Sequence, residues 1–429
     1  MKSPQLQLHR LVLDNGLRVV LAPDRHAGAV GISVHYDVGM RSEPEGRTGF
    51  AHLFEHLMFE GSANVPTHDH AKYIQQIGGS FNGSTHPDYT EYHEIVPAHG
   101  LERCLFLEAD RMRAPLLTYE TMQNQISVVK EEIRVNVLNR PYGGFPWLTL
   151  PPVLFDSFAN SHNGYGDFVD LETATVEDAK EFFAKFYAPG NAVLTVAGDI
   201  DLEQARDMVQ EHFGTIPRRR VPRRQSFLEP EPSSGRRGLV TDSHAPIAAT
   251  AIGWQSPDPI DDLTNYLGTV MLCDVLYDGD ASRLHAELVE RDSLAIAAFA
   301  YCGTFGDPFD QRGANTVTIQ INHPDTDARE VAVERVDEIL VELARNGPDQ
   351  RELDRVLPRM LSGFMREADA AGDRALRMGT FELLYGRAEL INELPAKLAA
   401  VTAADVAAAA ARLRSDNRAI VGLNPKDRS

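Results

Sequence analysis

A chain that repeats itself must build a repeated unit, and two segments of this chain share one plan. "TVEDAKEFFAKFYAPGNAVLTVAGD" starts at Thr175 and "TAADVAAAAARLRSDNRAIVGLNP" starts at Thr402. Each opens on Thr-x-x-Asp, a helix-capping start. Each then runs through one helix to an asparagine (Asn191, Asn417), a short apolar strand and a glycine (Gly198, Gly422). Two related domains of mixed helix and strand follow from this repeat. At 429 residues the chain is long enough for both to have a core of their own. Between them lies "PRRRVPRRQSFLEPEPSSGRRG", rich in Pro, Ser and Arg, which buries little and reads as a connector. The expected division is therefore a domain over 1–216, a linker over 217–237 and a second domain over 238–429.

The first domain opens on strands. "HRLVLDNGLRVVLAP" places two alternating apolar runs around Asp14-Asn15-Gly16, and Asn-Gly tolerates the positive φ angles of a tight hairpin turn. "GAVGISVHYDVG" continues as a third strand. Helical periodicity takes over at about residues 47–59, and again in "LERCLFLEADRM" and "TYETMQNQISVVKEEIRVNVLN".

Composition narrows the function classes. The formal net charge of −20 argues against a nucleic-acid surface, which needs a basic face. No apolar run approaches the roughly 20 residues of a membrane span, and the N-terminal stretch has no charged-then-apolar export pattern, so a cytoplasmic location is expected. Cys104, Cys273 and Cys302 are widely spaced and lie in no C-x-x-C pair, which argues against both a disulfide framework and thiolate zinc.

One apolar helix is interrupted by chemistry. "GFAHLFEHLMFEGS" carries His52, Glu55 and His56 within five positions. Residues i and i+4 of a helix stand nearly over one another and i+3 lies on the same side, so both imidazoles aim at one point and Glu55 reaches its edge. That is the convergence zinc requires: two neutral nitrogens, a third ligand from another element and an open fourth position. The order His-x-x-Glu-His inverts the His-Glu-x-x-His of zinc proteases, and Glu55 takes the part of general base. The third ligand is expected on the helix "NQISVVKEEIRVNVLNRPYG", where Glu131 and Glu132 are about 100° apart and only one can face the metal. Spacing alone leaves the choice open, as it does the alternative that both are surface carboxylates beside Lys130 and Arg134.

"HLFEHLMFEGS" followed by a glutamate in "VVKEEI" closely resembles the pitrilysin or insulinase family of zinc peptidases in its half-length bacterial form, and is similar to mitochondrial processing peptidase. The resemblance runs on through "GGSFNGSTHPDYTEYHEIVP", "LERCLFLEADRM", "NRPYG" and "FYAPGNAVLTVAGD", and more weakly into "YDGDASRLHAELV". It implies an α+β fold (an α/β sandwich) of two homologous domains, each a mainly antiparallel sheet packed against helices. It implies one zinc per chain on His52, His56 and Glu132, with Glu55 as base and Glu131 as a neighbour. "FNGSTHPDYTEYHEIV" corresponds to the strand beside the zinc whose edge takes up substrate as an added strand, which assigns Asn82, Gly83 and Ser84 to substrate binding.

Two positions depart from the family pattern. Seven residues before Glu132 many relatives carry a supporting glutamate, where this chain has Gln125. Active members also carry an Arg and a Tyr seven residues apart that help stabilise the developing oxyanion. Alignment through "SRLHAELVERDSLAI" puts Val289 and Ile296 there, while Arg291 and Tyr301 do not fit the spacing. The resemblance thus implies a heterodimer in which this chain bears the zinc and a homologous partner without zinc supplies the Arg/Tyr pair. A self-sufficient homodimer and a non-catalytic assembly subunit of the same fold are the competing expectations.

Overall fold

The computed structural model describes residues 5–313 and 315–426. Strands β1 (His9–Val12), β2 (Arg18–Pro23), β3 (Val30–Tyr36), β4 (Ser80–Thr85), β5 (Thr90–Val96) and β6 (Ala192–Gly198) form one sheet in the order β1-β2-β6-β3-β5-β4. Strands β7 (Arg236–Asp242), β8 (Ala248–Gln255), β9 (Ala297–Cys302), β10 (Thr316–His323) and β11 (Ala419–Pro425) form the other, in the order β7-β11-β8-β10-β9. Reading β2, β3, β4, β5 and β6 against β7 to β11 gives the same order strand for strand. In both sheets one pair alone is parallel, β2 with β6 and β7 with β11. The repeat is therefore a repeat of topology, and the fold is α+β with two mainly antiparallel sheets. The two Thr-x-x-Asp starts are capping boxes in fact. Thr175 caps the helix Val176–Phe186 with Asp178, and Thr402 caps Ala403–Arg412 with Asp405.

Contacts gather the chain into two units that are not contiguous in sequence. The first takes the residues up to Lys130, Gly164–Gln225 and Gly363–Pro395; the second takes Glu131–Asn163, Ser226–Ser362 and the residues from Ala396 onward. The division at 217–237 read from the sequence does not foresee this exchange of segments. Residues 217–235 have no regular secondary structure, and the last two residues of the expected linker already belong to β7. The connector is also held at points along its length. Within the first unit Arg219 donates to the carbonyls of Met112 and Tyr187, and within the second Glu229 accepts from Ser157 and Asn160.

In the first unit β3 and β6 are buried along their whole length, so both faces of the sheet are covered. One cover is the helix Ala371–Tyr385, which approaches so closely that small residues are obligatory. A Cβ on Gly31 would lie 2.3 Å from the carbonyl oxygen of Ala371, and a Cβ on Gly379 would lie 2.4 Å from the His35 ring. The hydroxyls of Ser33 and Thr195 donate to the Ala375 carbonyl at 3.2 and 2.7 Å, locking helix to sheet. His35 is itself fully buried and packed on Tyr89, so it has little room to yield. Gly379→Ala is expected to destabilise the fold by roughly 1–3 kcal/mol through overpacking, seen as a lower thermal midpoint.

The Asn-Gly hairpin forms, but not as a two-residue turn. Gly16 has φ of +95°, and residues 13–17 make a longer loop between β1 and β2. Asn15 is buried, and its amide donates to the carbonyls of Phe213 and Ile216, which ties the loop to the end of the helix Leu202–Phe213. Cys104, Cys273 and Cys302 are buried free thiols. No single helix among the described residues is long and apolar enough to cross a membrane.

Candidate metal centre

The histidine pair lies on helix α1 (Phe50–Leu57). Its start is set by Gly49, which has φ of +77° and whose Cβ, if it had one, would lie 2.5 Å from the backbone of Gly166. The buried carboxylate of Glu43 accepts from the amides of Gly49 and Ala51 at 2.8 and 2.7 Å, satisfying the helix start and complementing its dipole. Phe50, Leu53, Phe54 and Leu57 bury the apolar stripe, with Phe54 against Phe182 and Tyr187. This packing fixes the rotation of α1 and so the direction of the opposite face.

That face brings His52 and His56 together. Their Nε2 atoms are 3.2 Å apart and their rings nearly perpendicular. Nitrogens about 2.0–2.1 Å from a tetrahedral zinc ion lie about 3.4 Å from one another, so the spacing is that of two ligands. Glu132 stands in the last turn of α4 (Tyr119–Ile133), a continuous helix inside which the boundary between the two units falls. One carboxylate oxygen of Glu132 and one nitrogen of each histidine all lie within 4.8 Å of one another. Glu131 points elsewhere: it is largely exposed and pairs with Arg134 at 3.0 Å, while Lys130 reaches Glu172. Two nitrogens and a carboxylate oxygen are a donor set that suits zinc.

Glu55 is buried, and its Oε2 accepts a 2.7 Å hydrogen bond from the Thr85 hydroxyl at the end of β4. His52 packs on the ring of Tyr165. His56 Nδ1 is 3.2 Å from Gln125 Oε1, and the Gln125 amide donates to Glu60. Thr85, Tyr165, Glu60 and Glu43 carry no sequence sign of their place here: the first three meet the site through tertiary packing, and Glu43 bonds amides six and eight residues ahead with no characteristic motif. Asn82, Gly83 and Ser84 lie in β4, opposite His93, Tyr92 and Glu91 of β5. β4 is the last strand of its sheet, so its other edge pairs with no strand among the described residues. Val289 lies in the helical turn His285–Arg291 and Ile296 lies just before β9, both in the second unit. Arg291 is engaged with Glu287 and Asp292, and Tyr301 is within β9.

A second convergence, His70, Glu94 and Glu108, is wholly buried. Here a cation is already present. Arg111 donates to both oxygens of Glu108 and its guanidinium lies 3.6 Å from Glu94, over the rings of Tyr92 and Phe59. A divalent ion would leave this dry cluster with net positive charge, whereas one proton on the two carboxyls leaves it neutral.

Family profiles match two stretches of the chain. The insulinase profile (peptidase family M16) matches residues 18–141, which hold His52, Glu55, His56 and Glu132, and the peptidase M16 inactive-domain profile matches residues 173–359. The chain belongs to the insulinase family. Among its relatives in that family is the zinc protease PqqE of Helicobacter pylori, 26% identical over 385 residues that cover 85% of this chain and 81% of the relative. Cytochrome b-c1 complex subunit 1 of rat mitochondria is 26% identical over 254 residues, 58% of this chain and 52% of that one. A protease from Helicobacter pylori has the same fold in its crystal structure, with a TM-score of 0.88 at 23% identity, covering 98% of this chain and 100% of that one.

Proposed function

We propose that this chain is the zinc-bearing subunit of an endopeptidase that cuts peptides or unfolded segments. Its one zinc would be held by His52, His56 and Glu132. The observation that carries this reading is the convergence of those three side chains with the Glu55 carboxylate one helical turn from His52. Zinc in such a place supplies the positive charge that polarises a carbonyl and acidifies water. Glu55 then accepts a proton on its carboxylate and returns it to the leaving amine. Thr85 holds that carboxylate in position from the same strand that binds substrate. The outer edge of β4, at Asn82, Gly83 and Ser84, pairs with an extended peptide backbone, which grips many sequences with little demand on side chains. Strand addition also explains the preference for peptides and unfolded segments, since a folded domain has no free strand to lend.

Val289 and Ile296 have no side-chain donor for an oxyanion, so a homologous partner subunit is proposed to bring the Arg/Tyr pair. Elemental analysis and peptide hydrolysis, with and without that partner, test the reading. One zinc per chain, lost in His56→Ala, together with cleavage that needs the partner, is the expected result. Full activity of the isolated chain would favour the homodimer. Relation to the cytochrome b-c1 subunit favours the assembly-subunit reading, and a well-folded native protein with no zinc would establish it. Thr85→Val is expected to keep zinc and lower turnover roughly ten- to a hundredfold, the loss of a hydrogen bond to a charged group, measured as kcat on an unfolded peptide.

A further inference from the structure

Glu60 is a carboxylate that the proposed chemistry leaves without a task, yet it is only 3% exposed and lies beside the metal centre. It follows α1 in a tight turn, where the Phe59 amide donates to the His56 carbonyl and the Glu60 amide to that of Leu57. This turn sets Glu60 four residues beyond His56. Across from both stands Gln125 of α4, also buried. Its Nε2 donates to Glu60 Oε1, and its Oε1 faces His56 Nδ1 at 3.2 Å.

The direction of this chain follows from chemistry. The Gln125 NH2 donates to Glu60, so its amide oxygen is the atom that faces His56. An amide oxygen cannot donate, so the proton of neutral His56 sits on Nδ1. The lone pair is left on Nε2, the atom that faces His52 Nε2. A ligand imidazole is usually oriented by a partner on its other nitrogen, and a negative partner raises its basicity. Here the carboxyl group is one residue removed and acts through the amide that bridges it to His56.

We propose that Glu60 is a positioning residue which, through Gln125, fixes the tautomer and orientation of His56 for metal. Within the first unit the pair Glu60/Gln125 holds a single carboxyl group. The inference rests on the zinc reading and goes beyond it, because neither Glu60 nor the relay belongs to the ligand set.

The test is a charge swap in the full chain, read as zinc affinity by competition with a chromophoric chelator, and as the thermal midpoint of the zinc-free protein. Glu60→Gln is expected to weaken zinc binding by about 10- to 100-fold, the usual cost of losing a ligand's outer partner. Gln125→Glu alone is expected to weaken folding of the zinc-free protein, since two buried carboxylates then face each other. The double variant Glu60→Gln/Gln125→Glu restores a single charge, now directly on His56, and is expected to recover both wild-type affinity and wild-type midpoint. Wild-type affinity in Glu60→Gln would overturn the inference, and so would a swap that folds but fails to recover zinc. If Glu60→Gln does not fold, the swap decides alone: recovered zinc affinity supports the relay and its absence overturns it. A wild-type chain that binds no zinc would instead refute the zinc reading itself.

Discussion

Replacing Glu55 with glutamine is expected to leave zinc bound and to slow peptide hydrolysis by a factor on the order of 10² to 10⁴, the range of a positioned general base. The substitution is close to isosteric, so the packing of α1 on Phe182 and Tyr187 is untouched. Thr85 can still donate to the amide oxygen at the place of Oε2. What is lost is the carboxylate that would take the proton of the attacking water. His56→Ala removes one of two nitrogens 3.2 Å apart and is expected to lose the metal together with the activity. The two variants therefore separate a base from a ligand: zinc content stays at one per chain in the first and falls towards zero in the second. Loss of zinc in Glu55→Gln would show that Glu55 acts as a ligand, and retained hydrolysis would remove it from the mechanism.

Local chemistry was the legible part of this molecule. Thr175 and Thr402 announce their capping boxes because the bonds close within three residues. His52, Glu55 and His56 share a face because α1 is one regular helix. The choice between Glu131 and Glu132 was not legible from spacing, since it depends on the rotation of α4, which packing decides. The helix Ala371–Tyr385 carries a readable sign of close packing: Gly372, Ala375 and Gly379 make one face small enough to touch a sheet. Glu43 and Glu60 look like ordinary surface acids in sequence, and charged residues are seldom buried without a partner. Both are buried here, Glu60 on Gln125, 65 residues away in the chain, and Glu43 on backbone amides of the α1 start, six and eight residues away. The sequence holds the partners but not the meeting.

The same holds, with larger energetic consequence, for His70, Glu94, Glu108 and Arg111. Arg111→Met keeps most of the volume beneath Tyr92 and Phe59 but leaves two buried carboxyls with no cation. Breaking a buried ion pair from one side typically costs about 3–5 kcal/mol, a large fraction of the stability of an ordinary domain. The cluster also predicts a pH dependence. Burial, and next to it the opposing pull of Arg111, set Glu108, whose carboxyl is pushed up to about 8; burial raises Glu94 as well. Burial, aided by Arg111, pushes His70 down to about 3. A carboxyl that is harder to ionise in the folded chain contributes stability at low pH that is lost as pH rises from the ordinary carboxylate range through about 8. A histidine that is harder to protonate when folded contributes stability above its ordinary value of 6.5, lost as pH falls towards about 3. The two trends oppose one another below 6.5, and above it only the carboxyl trend remains. Between pH 6.5 and 8 one proton accounts for at most about 2 kcal/mol of lost stability, or roughly 4–8 °C in the midpoint of a domain of about 200 residues. Glu94→Gln removes one of the two carboxyls and supplies an amide that donates to Glu108, which then ionises beside Arg111 without a competitor. Its midpoint should therefore decline less than that of the wild type over this interval, and should exceed it at pH 8. Parallel declines in the two proteins would mean that the proton is lost elsewhere and that Glu94 and Glu108 do not share it.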